Sequence, residues 1–90
     1  MTVHLLINGR VQGVFFRESA RKLAEKLNVK GWIKNTNNEK VEAVISGDEK
    51  DVNEFINWCH TGPERAEVTE VIVSEQAETP FQQFKVIRNH

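Results

Sequence analysis

Ninety residues hold one modest hydrophobic core and leave little room for a second, so residues 1–90 are read as a single domain. Twelve Lys and Arg stand against thirteen Asp and Glu, interleaved along the chain rather than gathered in a stripe, which argues against a nucleic-acid footprint. Cys59 is the single cysteine, so an internal disulfide is excluded and a reducing compartment fits. The start Met1-Thr2-Val3-His4-Leu5-Leu6-Ile7 lacks the basic segment of a signal peptide, and no apolar run approaches the length of a membrane span. A cytoplasmic monomer that binds neither nucleic acid nor membrane is the expectation.

In chain order, Val3–Asn8 alternates Val3, Leu5 and Ile7 against His4, Leu6 and Asn8, the pattern of a strand buried on at least one side. Asn8-Gly9-Arg10-Val11-Gln12-Gly13-Val14-Phe15-Phe16-Arg17 follows, with two glycines four residues apart. Phe16, Ala20, Leu23, Ala24 and Leu27 then recur at helical spacing, predicting a helix over residues 16–28 that stops at Asn28. A strand, a tight loop and a helix start in succession make a good anion holder. Glycine lets the backbone approach a ligand, successive N–H groups in such a turn form a positively polarised hollow, and the first helical turn leaves its own N–H groups unpaired. Arg17 adds a forked, permanently charged donor at the exit of the loop. Spacing alone also fits a plain flexible connection, and neither the dinucleotide fingerprint nor a nucleotide-triphosphate loop is present.

Val29–Thr36 and Lys40–Ser46 return to extended patterning and form a predicted hairpin, with Asn37-Asn38 at the turn because asparagine tolerates positive φ. After Gly47, Asp48 and Asp51 resemble a capping arrangement for a second helix carrying the stripe Val52, Phe55, Ile56 and Cys59, which Gly62-Pro63 ends. Cys59 reads as core, with His60 pointing off the stripe. Val68–Ser74 and Phe84–Arg88 are the last strands, joined by a polar connection. The order is βαββαβ, with an extra short strand allowed. This is the α+β, ferredoxin-like split βαβ arrangement: an antiparallel sheet with two helices on one face, the other face partly open. His4, His60 and His90 show no paired ligand spacing, so no metal site and no cofactor are expected.

Two motifs together carry a resemblance. Gly9-Arg10-Val11-Gln12-Gly13-Val14-Phe15-Phe16-Arg17, followed by Asn35 within Lys30-Gly31-Trp32-Ile33-Lys34-Asn35-Thr36, resembles the acylphosphatase family. The similarity continues through Val41-Glu42, Gly47, Gly62-Pro63 and Phe84-Lys85-Val86-Ile87. The resemblance implies a small metal-independent hydrolase that splits acyl phosphates into a carboxylate and inorganic phosphate. It implies that Arg17 binds the phosphoryl group and that Asn35 orients the attacking water. The backbone of Val11, Gln12, Gly13, Val14, Phe15, Phe16 and Arg17 would be the phosphate cradle. Glu18-Ser19-Ala20 departs from the pattern of the animal members and bears on the pocket rim. Arg10 and Lys34 are left outside the site, the first because it points away from the following amides, the second because it alternates away from Asn35. A non-catalytic anion-binding module is the second reading. An RNA-binding sheet surface would need exposed paired aromatics, which Val3–Asn8 lacks.

Overall fold

The computed structural model describes residues 1–88. Its elements are β1 (Thr2–Arg10), α1 (Phe16–Leu27), β2 (Lys30–Asn35), β3 (Val41–Ser46), α2 (Glu49–Cys59), β4 (Glu67–Gln76) and β5 (Phe84–Ile87). The five strands form one sheet in the order β4-β1-β3-β2-β5, with both helices packed on the same face. The ferredoxin-like expectation therefore holds, including the extra short strand. His90, one of the three histidines considered above, lies outside the described residues.

Alternation decides which side of each strand meets the helices. Val3, Leu5 and Ile7 of β1, Ile33 of β2, and Val41, Ala43 and Ile45 of β3 are fully buried there. The helices answer with Phe16, Ala20 and Ala24 from α1 and Val52, Phe55 and Cys59 from α2. Three tilted ring pairs tie the layers: Phe16 with Trp58 at 5.1 Å, Phe55 with Trp58 at 6.2 Å, and Phe55 with Phe84 at 5.9 Å between centroids. Burial pushes the Cys59 thiol far up, away from the reactive thiolate, as its place in the apolar stripe requires. On the uncovered face, His4 Nε2 lies 2.7 Å from Glu42 Oε2, and Lys34 sits 5.5 Å over the Trp32 ring.

Three expectations change. The sheet is mixed, not wholly antiparallel, because β5 pairs parallel to β2. Residues 77–83 carry the chain from the β4 edge to the opposite edge, and a strand that reverses direction after β4 runs the same way as β2. Four inter-strand spacings are roughly 19 Å, within reach of seven extended residues at about 3.3 Å each. Two contacts hold the crossing: the N-terminal ammonium bonds Glu78 Oε1 at 2.6 Å, and the Thr79 N–H donates to Thr2 Oγ1 at 3.2 Å. Second, the left-handed residue of the hairpin turn is Glu39 (φ 68°), not an asparagine. The turn closes between the Thr36 N–H and the Lys40 carbonyl at 2.8 Å, which leaves the positive φ at the residue before the closing one. Third, Asp48 occupies the N-cap position of α2 with an extended backbone but makes no side-chain capping bond; its carbonyl accepts the Val52 N–H at 2.9 Å. Glu49 and Asp51 in the first turn still favour the positive helix end. Asn28 does stop α1, in the left-handed conformation (φ 59°), its N–H turned back to the Ala24 and Glu25 carbonyls.

Phe55 is the side chain that ties α2 to β5, since it is fully buried against Phe84 and against Trp58, which in turn meets Phe16 of α1. Phe55→Ala is expected to lower unfolding free energy by about 3–5 kcal/mol. The exposed Ile72→Ala is expected to stay within roughly 1 kcal/mol of wild type. Urea denaturation of the two variants measures both values.

Candidate active site

The connection from β1 to α1 is built from apolar anchors behind and backbone amides in front. Val11, Val14 and Phe16 are at most 3 % exposed and hold the loop against the core. Between them Gly13 (φ 72°) and Phe15 (φ 65°, ψ 25°) take left-handed conformations, while Val14 does not. Alternating handedness turns successive N–H groups toward one side, which is the geometry of an anion nest. Gly13 is needed for this φ and not for space, because an added Cβ there would meet nothing within 4 Å. Gly9 is the opposite case. It stands at a register shift between β1 and β4, and a Cβ there would fall 2.1 Å from the Glu67 carbonyl oxygen.

Gln12 fixes the loop sideways. Its Nε2 donates to the carbonyls of Thr36 and Lys40, both at 2.9 Å, bolting the loop to the β2–β3 turn. Asn35 is the last residue of β2, next to that turn, and follows Gly31 and Ile33 on the helix side of the sheet. One clamp thus sets the distance between the nest and Asn35.

A pocket of about 400 Å³ lies between them, lined by Val11, Gly13, Phe15, Phe16, Arg17, Glu18, Asn35 and Arg88. Gln12 and Val14, also expected in the cradle, do not line it; Gln12 braces the loop and Val14 is core. Arg10 and Lys34 stay outside. Arg10 is exposed at the end of β1, and Lys34 faces Glu42 at 3.7 Å on the open side of the sheet.

Arg17 is half-buried in the first turn of α1, its Nη1 donating to the Ile87 carbonyl at a long 3.4 Å. Among the described residues no carboxylate forms an ion pair with it. Burial, and then the charge of Arg88, pull its pKa below the ordinary arginine value, which leaves it a cation at neutral pH in a place that disfavours cations. An anion in the pocket relieves both effects. Glu18 does not quench Arg17, because Arg21 holds it through Nη2 at 2.6 Å and Nε at 3.2 Å, and this pairing holds the Glu18 carboxyl below the usual range. Arg88 was not legible from spacing: it reaches the pocket only through the parallel pairing of β5 with β2. Glu18 was flagged only as part of an atypical stretch. No group of three His, Cys, Asp or Glu side chains suited to a metal ion occurs among the described residues.

The Acylphosphatase family pattern matches residues 3–86. The acylphosphatase of Rubrobacter xylanophilus is 49% identical over 74 residues, which span 82% of this chain and 67% of that protein. The acylphosphatase of Thermococcus kodakarensis is 48% identical over 84 residues, spanning 93% of this chain and 92% of that one. Among solved structures, an acylphosphatase from Coxiella burnetii superimposes with a TM-score of 0.92 at 38% identity, covering 96% of this chain and 90% of the other. With a pattern match over nearly its whole length and relatives at this level of identity, the chain belongs to the acylphosphatase family of hydrolases.

Proposed function

We propose that this chain, as a single-domain cytoplasmic monomer, hydrolyses small soluble acyl phosphates to a carboxylate and inorganic phosphate without a metal ion, using Arg17, Asn35 and the 11–17 amides. The observation that carries the reading is convergence. A nest of amides, an arginine without a carboxylate partner among the described residues and an asparagine amide line one pocket. A phosphoryl group in transfer spreads negative charge over its equatorial oxygens, so catalysis needs positioned donors more than a covalent nucleophile. The loop amides, of which those of Val11, Gly13, Phe15 and Phe16 belong to residues that line the pocket, and the fork of Arg17 supply those donors.

Asn35 is not a base at neutral pH. Its amide offers both a donor and an acceptor, enough to hold a water in line with the breaking bond. The water oxygen bonds to phosphorus as the bond from phosphorus to the acyl oxygen breaks, and the electron pair leaves on a carboxylate. Because that carboxylate is already a good leaving group, no strong general acid is required. Gln12 serves as a positioning residue, since its two bonds set the span between the amides and Asn35.

Release of phosphate from benzoyl phosphate tests the roles. Asn35→Ala should lower kcat by about 10²–10³ with KM little changed, and Arg17→Lys should lose at least that much and raise KM as well. Chelation with EDTA should leave the wild-type rate unaltered. Variants as active as the wild type would remove these roles, and tight phosphate binding without turnover would favour an anion-binding module instead. Gln12→Leu should cut kcat/KM by about 10- to 10²-fold while circular dichroism reports an intact fold, because the loop and Asn35 lose their common reference.

A further inference from the structure

Resting on the acyl-phosphate reading, we infer that the Phe15 side chain is the surface that receives the acyl half of the substrate, and that it favours planar apolar acyl groups. The pocket is larger than the phosphate needs. Five non-hydrogen atoms at the ~30 Å³ that a water-sized atom takes in a liquid fill roughly 150 Å³, whereas the pocket holds about 400 Å³. Phe15, Glu18 and Arg88 are among the residues that line this larger space.

Phe15 is unusual there in two respects. It is the most exposed large hydrophobic residue among those described, at 71%, against 42% and 43% for Ile72 and Val73. Its backbone is also left-handed, a conformation that suits glycine or asparagine and disfavours a bulky side chain. The nest requires that backbone; it does not require a phenyl ring. Folding would be served better by glycine at this position, so ring and strain together point to a use at the pocket. The adjacent ring shows the contrast: Phe16 is buried against Trp58, while Phe15 lines the pocket and is exposed. Because both neighbours of Phe15, Val14 and Phe16, are buried, the ring is carried on a fixed stem, which limits the entropy lost when a ligand lies on it.

The charged residues of the lining leave the acyl half one apolar surface. Glu18 is already engaged by Arg21, Arg17 and Arg88 are cations, and the remaining apolar lining, Val11 and Phe16, is at most 2% exposed. A flat apolar acyl group thus finds one surface to cover, the phenyl face, through offset stacking or edge contact.

The test compares kcat/KM for benzoyl phosphate and acetyl phosphate in wild type, Phe15→Gly and Phe15→Tyr. Wild type is expected to favour the benzoyl compound. In Phe15→Gly the benzoyl-to-acetyl ratio should fall about five- to tenfold, whereas Phe15→Tyr should keep it. Glycine suits the left-handed backbone, so the melting temperature of Phe15→Gly should not drop and loss of fold does not confuse the ratio. An unchanged ratio in Phe15→Gly overturns the inference and leaves the acyl-phosphate reading standing. So does a wild-type preference for succinyl monophosphate, with its second carboxylate, over benzoyl phosphate. Failure of wild type to turn over any of these compounds sinks the acyl-phosphate reading itself, and the inference with it.

Discussion

A loop that aims its amides at one point cannot spend them on hydrogen bonds of its own, and everything else around the pocket follows from how such a loop is kept in shape. Here the holding force is apolar. Val11, Val14 and Phe16 are drawn into the core, and the polar backbone between them is left facing outward. The helix contributes the first regular bond after the turn, from the Ser19 N–H to the Phe15 carbonyl at 3.0 Å, so the left-handed Phe15 lies at the junction of nest and helix. Gln12 supplies the remaining restraint. With three buried side chains behind and one polar clamp beside it, the loop can stay open to a ligand without collapsing onto itself.

Two arginines one helical turn apart in α1 illustrate how charge is divided along this element. Arg21 lies between Glu18 and Glu25, bonded to both, and its pKa is raised by those partners. Arg17 meets burial and a second guanidinium instead, and its pKa is lowered. Glu18 is the residue that could have cancelled either charge, and the i to i+3 geometry delivers it to Arg21. Exposed pairs of this kind contribute little to stability. Their consequence here is electrostatic: Arg17 keeps an unspent positive charge beside the nest, where attraction for an anion is strongest.

Much of this was legible in the sequence because it is local. The alternation of Val3, Leu5 and Ile7, the stripe from Phe16 to Leu27, the stop at Asn28 and the strand that carries Asn35 are each specified within a few residues. The glycine loop announced a turn, and its pairing with the second motif gave the site its chemical meaning. What was not legible is set by tertiary pairing. The direction of β5 depends on which edge residues 77–83 reach, and Arg88 enters the pocket only by that route. The brace made by Gln12 depends on where the β2–β3 turn lies in space. At Glu39 and Asp48 the local preferences were reasonable, yet the closure between Thr36 and Lys40 and the backbone entry into α2 decided the outcome.

The topology explains why these distant segments meet. β3 is antiparallel to both β1 and β2, so β1 and β2 run the same way, and β5 is parallel to β2. Three strands therefore deliver their carboxyl ends to one end of the sheet. The nest follows the end of β1, Asn35 closes β2, and Arg88 follows the end of β5. In open sheets with parallel strands, ligands bind beyond the carboxyl ends, where helix N-termini also point. This small sheet meets that condition with α1, whose N-terminus opens on the pocket. The antiparallel partners β3 and β4 present the opposite polarity at that end and contribute no lining residue. The parallel edge strand β5 is thus more than an addition to the sheet, because its direction is what brings a second cation to the pocket.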